Sequence, residues 1–184
     1  MKELLAHFLN FIKRINPRSN YEHTVLKFLE KILSRLYEEF NNLNIIEKHL
    51  YLKLIMETII QLKYFVEKYG TNDERIDREL HLRSRKGQSF SIRMLVNSKH
   101  LAGRIKREIL ETYLDICSFV HPSHVLISSI VRESKEYEKI LKYNISRTID
   151  YCSYILMLIF GKDSEMCKIC IDNNLPRCSK YCTR

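Results

Sequence analysis

Tryptophan is absent from this 184-residue chain, and glycine and proline are scarce, with 4 and 3 residues respectively. So few glycines exclude a glycine-rich phosphate loop, and neither His-Glu-x-x-His nor a nucleophile elbow occurs. So few turn-forming residues point to long helices with few reversals. No window offers about eighteen uncharged apolar residues, which excludes a membrane-spanning helix; the nearest, 145–160, is interrupted by Arg147 and Asp150. The first residues, 1–15, carry Lys2, His7, Lys13 and Arg14, so they lack the unbroken apolar stretch and small-residue cleavage site of a secretory signal. The expectation is a cytoplasmic protein.

What the chain does have is apolar periodicity. Hydrophobic residues make up 45% and charged residues 29%, an ordinary soluble composition. Leu4, Leu5, Phe8, Leu9, Ile12 and Ile15 mark a first amphipathic helix, stopped by Asn16-Pro17. A second stripe, from Val25 to Phe40, predicts a helix over 20–41, and a third, from Ile46 to Val66, stops at Gly70. A short polar helix is predicted over 73–84 and a brief one over 91–97. A main helix follows over 101–120, and a short one over 122–132 restarts at Pro122. The last long helix is predicted over 134–160, with Gly161 as its stop. The expected fold is an all-α up-and-down bundle of four to five main helices with short accessory helices over 1–161, followed by a cysteine-bearing tail over 162–184.

In that tail stand Cys167, Cys170, Cys178 and Cys182, four of the six cysteines. A Cys-x-x-Cys pair and a second pair at i, i+4 match the four-thiolate shell of structural zinc. In a reducing cytosol clustered cysteines serve as metal ligands, so the expectation is a zinc knuckle. Disulfides, free thiols and an iron–sulfur cluster are the alternatives. A closed four-cysteine site has no open position and would supply structure, not catalysis. Cys117 and Cys152 lie on inward stripes and read as small core residues.

The net charge is +9, and most of it comes from one region. Between Arg75 and Arg107 stand Arg75, Arg78, Arg83, Arg85, Lys86, Arg93, Lys99, Arg104, Lys106 and Arg107 against Asp77 and Glu79. Widening the window to Asp73–Glu111 adds Asp73, Glu74, Glu108 and Glu111 and halves the excess. Arginine predominates, and its planar fork suits bidentate phosphate contacts. The stretch reads either as a nucleic-acid surface, with Arg78, Arg83, Arg85, Lys86, Arg93, Arg104 and Arg107 as the contacts, or as a solvated helix face. Lys168, Arg177, Lys180 and Arg184 extend the positive field into the tail.

The segment Tyr113-Leu-Asp-Ile-Cys-Ser-Phe-Val-His121-Pro-Ser123 is the second notable pattern. With the basic residues and Ser89-Phe90-Ser91 before it, it resembles a branch of the HEPN superfamily over about residues 85–160. These are compact helical domains of prokaryotic toxins and defence systems. The resemblance implies an up-and-down bundle of four or five helices, homodimers and, in active members, metal-independent RNA cleavage. In those members a His acts as acid or base and an Arg four to six residues earlier holds the phosphate, across the dimer. Here the matching His is His121, but Ile116, Asp115 and Leu114 occupy the Arg positions. Asp115 would then orient His121 or act as a base, and Arg104 or Arg107 would have to serve the phosphate. Helical spacing gives a different reading, in which Leu110, Leu114, Cys117 and His121 form one apolar stripe and His121 lies inward, bonded to backbone. Three functions follow: a zinc-stabilised nucleic-acid-binding protein, for RNA before DNA; a HEPN-type ribonuclease; and a scaffold within a protein assembly.

Overall fold

A computed structural model describes residues 1–85, 92, 96, 101–121 and 135–183. Among them the chain is all-helical: α1 (Lys2–Arg14), α2 (Asn20–Glu38), α3 (Ile45–Tyr69), α4 (Asp73–Arg85), α5 (Gly103–Ser118), α6 (Lys135–Phe160), α7 (Ser164–Asp172) and α8 (Pro176–Cys182). No helix of the described residues is long and apolar enough to cross a membrane. The brief helix expected over 91–97 lies outside the described residues except for Ile92 and Val96, which are helical. The one expected over 122–132 lies outside them entirely.

Helix boundaries fall where local chemistry demands. The Ser19 hydroxyl accepts the Glu22 N–H at the start of α2. Asn44 and Glu47 cap α3 reciprocally, each side chain bonding the other's backbone N–H. Such a box satisfies two orphan donors at once. Asn44→Ala is expected to lower stability by about 1 kcal/mol, read from the shift in a urea midpoint. Gly70 ends α3 at φ 62° and Gly161 follows α6 at φ 96°, backbone that an L side chain adopts only with strain.

α3 and α6 form the centre, since they share the most extensive contact in the fold. α3 buries Leu52, Ile55, Met56, Ile59, Ile60, Leu62 and Phe65. α6 buries Ile145, Ile149, Cys152, Ile155, Leu156 and Met157. α1 and α2 pair on one side, and α5 lies across α3 and α6 on the other. Each fully buried aliphatic side chain contributes about 1.5–3 kcal/mol, enough for this core to hold without a metal.

Directions follow from the pairs. Phe119 stacks on His49, the Tyr113 hydroxyl bonds Glu57, and Lys106 acts electrostatically on Lys63, so α5 runs antiparallel to α3. Glu108 meets Tyr151 and Phe119 meets Tyr137, so α5 is also antiparallel to α6. The start of α5, the end of α3 and the end of α6 therefore share one end of the bundle.

The tail departs from expectation. It is a helical hairpin whose Met166, Ile169, Cys170, Leu175 and Cys178 are buried in the main core. Its sulfurs are paired covalently across the hairpin, Cys167 with Cys182 and Cys170 with Cys178, at S–S distances of 2.13 and 2.07 Å. Four thiolates on one zinc ion, each about 2.3 Å from the metal, would leave unbonded sulfurs roughly 3.7 Å apart. Among the described residues no group of His, Cys, Asp and Glu could hold a metal ion. The zinc knuckle, and with it the metal-stabilised protein expected from the sequence, is therefore replaced by two disulfides. Helical geometry is the reason: facing antiparallel helices set each cysteine opposite one on the other helix, at Cα separations of 5.4 and 5.8 Å, within bridging range.

Candidate functional site

The cationic residues singled out in the sequence fall into three groups. Arg78 and Arg85 are exposed on α4, a helix that buries only Ile76. Arg83, half-buried on the same helix, donates to Glu79 at 3.1 Å. Arg104 and Arg107 are exposed in the first turns of α5. Lys86 and Arg93 lie outside the described residues.

Tertiary structure brings the α4 and α5 groups to one end. Glu79 of α4 is bonded by Tyr64 and Lys68 near the end of α3, and Lys106 lies close enough to Lys63 to act on its charge. Both basic helices thus meet the last two turns of α3. Three carboxylates of this end, those of Asp73, Glu79 and Glu108, are engaged in hydrogen bonds to other helices. Asp73 accepts the Asn20 and Tyr21 N–H groups at the start of α2, at 2.9 and 3.0 Å, and these bonds hold its carboxyl below its usual range. Burial alone would raise the Glu79 carboxyl, but bonds from Lys68, Tyr69 and Arg83 outweigh it and hold the group at about 2. Glu67, Glu74 and Asp77 remain exposed, against Arg75, Arg78, Arg85, Arg104 and Arg107.

Glu108 leads from this end into a cleft between α5 and α6. Arg177 donates to both its oxygens, at 2.7 Å through Nε, while Arg104 donates at 3.0 Å and Tyr151 at 3.2 Å. Arg177, expected to extend the positive field, is therefore spent on an internal pair. Arg147 lies over the rings of Tyr143 and Tyr151, 5.2 and 5.5 Å from their centroids, and donates to both hydroxyls. Asp150, buried behind them, accepts the Arg177 and Cys178 N–H groups at 2.8–3.1 Å. It caps α8, whose own N-cap Leu175 has no side chain to do so. Burial raises the Asp150 carboxyl despite these bonds.

His121 and Asp115 lie elsewhere. His121 is exposed, three residues past the end of α5, where its N–H bonds the Cys117 carbonyl at 3.0 Å. Its expected inward position does not hold, because α5 buries Ile109, Thr112 and Ile116 instead, with Phe119 just past its end. Leu114, on the rejected stripe, is 58% exposed. Thr112 can be buried because its hydroxyl bonds the Glu108 carbonyl at 2.9 Å. Asp115 is exposed and its carboxyl is raised by desolvation, against the nearby Arg147 charge. His121 is fourteen residues beyond Arg107, about 21 Å along a helix axis. Within one chain the basic end and His121 do not converge.

Glu108, Glu111, Tyr143, Arg147, Asp150 and Tyr151 were not picked out as a site. The sequence signal is Tyr143, Arg147 and Tyr151 at i, i+4 and i+8, on one face of the last long helix. Comparison of the chain with protein-family models, with curated proteins and with solved structures gives no match.

Proposed function

We propose that this all-helical protein is a nucleic-acid-binding module that grips the phosphate backbone across α4 and the start of α5, without a metal. The observation that carries the reading is the placement of two basic helices, α4 and the start of α5, at the same end of the bundle beside the last turns of α3, with Asp73, Glu79 and Glu108 engaged in hydrogen bonds to other helices. Exposed arginines on a rigid support are the residue type and setting that phosphate contacts require. A HEPN-type ribonuclease, which the resemblance implies, would need a second copy of the chain to bring Arg104 or Arg107 to His121. The separation of His121 from Arg104 and Arg107 favours binding over that reading.

The test is the salt dependence of binding. Labelled single-stranded RNA followed by anisotropy should bind with an affinity that falls steeply as salt rises, because each neutralised phosphate releases counterions. Replacing Arg78, Arg85 and Arg107 together by Ala should lower the slope of log K against log salt by about 2, at about 0.7 per phosphate on single strands. A protein that binds no strand at low salt, or a triple variant with an unchanged slope, would overturn the proposal. Duplex DNA as competitor ranks RNA against DNA. A scaffold role would instead show partner binding with little salt dependence.

A further inference from the structure

We propose that the cleft between α5 and α6 is a nucleobase site selective for guanine, an inference that rests on the nucleic-acid reading above and adds base recognition to it. The cleft measures about 480 Å³ and is lined by Glu111, Tyr143, Ser146 and Arg147 among others, a size typical of small-ligand sites.

Three features suit a base. The first is Tyr143, 51% exposed although its ring is held in place by Arg147. A large aromatic left open to solvent but already fixed is a stacking platform that loses little rotamer freedom on binding. The buried partner ring, Tyr151, is 3% exposed and anchors the other side of the guanidinium, so Arg147 is a support and not a free phosphate ligand.

The second is the charge of the cleft. Its carboxylates Glu108, Glu111 and Asp150 outnumber its guanidinium groups, Arg147 and Arg177. Both guanidinium groups are already engaged, with the tyrosine hydroxyls and with Glu108, so the interior offers a phosphate no free cation while a neutral base needs none. Arg107 stands exposed one helical turn before Glu111, placed to hold the phosphate at the rim. The charge pattern therefore fixes the orientation as base inward and backbone outward.

The third is Glu111. It is exposed, lines the cleft, and makes no hydrogen bond or ion pair with another described residue, unlike Glu108 beside it. A free carboxylate offers two acceptor oxygens side by side. Guanine alone among the common bases presents two adjacent N–H donors, N1–H and the N2 amino group, to match them. Adenine and cytosine set a ring acceptor beside their amino group, and uracil flanks its single N–H with carbonyl oxygens; each would face one carboxylate oxygen with a lone pair.

Equilibrium binding of the full chain, disulfides intact, to three strands tests this: a short oligouridine, the same strand with one central guanosine, and the same strand with one central abasic site. The guanosine strand should bind about tenfold more tightly than the other two. Glu111→Gln should abolish that preference and leave the salt slope unchanged, since an amide offers one acceptor and one donor. Tyr143→Ala should weaken the guanosine strand about tenfold and leave the abasic strand unaffected. Both side chains are exposed, and far-UV circular dichroism checks that the variants fold. If guanosine and abasic strands bind alike, or the preference survives Glu111→Gln, the base site is refuted while salt-dependent binding keeps the phosphate reading intact. If no strand binds at any salt, both fail.

Discussion

Unfolded in denaturant without reductant, the protein is expected to show two reactive thiols, those of Cys117 and Cys152, and six after reduction. Six thiols in protein prepared without reductant would refute the paired hairpin. The stability effect of reduction should be large and local. In the chain-entropy model a closed loop of about fifteen residues is worth about 3 kcal/mol, and the Cys167–Cys182 bridge spans 15 residues. The inner Cys170–Cys178 bridge spans 8 and lies within the outer loop, so the two do not add in full. α8, with seven residues, is too short to persist unsupported. Reduction should therefore strip hydrogen-exchange protection from the amides of α7 and α8 while those of α3 and α6 remain protected, because their packing does not pass through the sulfurs. Equal loss across all four helices would show that the disulfides hold the whole bundle. Since α8 carries Arg177 onto Glu108, the same treatment should also take Arg177 off that carboxylate and leave it to Arg104 and Tyr151.

Acidification from pH 7 to 4 is expected to remove about 3 kcal/mol of stability through one residue, His49. The ring is fully buried, stacked on Phe119 at 4.1 Å. Its Nδ1 lies 2.7 Å from the Ile45 carbonyl and its Nε2 lies 3.2 Å from Asn144 Nδ2. The carbonyl requires an N–H at Nδ1, so Nε2 is the acceptor and the ring is neutral. Burial pushes the imidazole down to about 4 from its ordinary 6.5, against the carbonyl bond, which favours the cation. The unfolded chain, with His49 in water, takes up its proton first as pH falls. Stability is thus fully present above the unfolded value, declines as pH drops through 6.5, and reaches its full loss below about 4. A fall from 6.5 to about 4 corresponds to about 3 kcal/mol. Urea unfolding of the wild type and of His49→Gln, which keeps a polar amide that does not titrate, isolates this contribution from that of the carboxylates. The difference between the two proteins should change by about 3 kcal/mol between pH 7 and 4. Parallel stability profiles would show that His49 is not held neutral.

The course of the chain was legible from the residues because helix stops are local. Asn16-Pro17, Gly70 and Gly161 end α1, α3 and α6 close to where the periodicity breaks, since a missing N–H or a positive φ needs no distant partner. The expected start of α4 at residue 73 matches Asp73 because Asn72 accepts the Arg75 N–H in the first turn, also a local bond. The misreadings all concern partners. Cys-x-x-Cys describes neighbours along the chain, whereas the sulfurs pair across two helices. The premise of a reducing compartment also favoured a metal; disulfides persist where thiols are oxidised, and in intracellular proteins of hyperthermophiles. The stripe through Leu114 and His121 and the one through Ile109 and Ile116 are both helical in period. Which one is buried depends on where α3 and α6 lie.

The candidate site divides along the same line. Sequence alone determined that the chain is helical, that its positive charge is concentrated between residues 75 and 107, and that no span is apolar enough to cross a membrane. Only the tertiary structure decided that α4 and the start of α5 share one end of the bundle, that Arg177 is consumed by Glu108 while Glu111 stays free, and that Tyr143 and Arg147 form one rigid platform. The physical reason is range. Propensity and capping act over a few residues of chain, while the worth of a charge or a ring depends on which groups, from any part of the sequence, folding has set within a few ångströms of it.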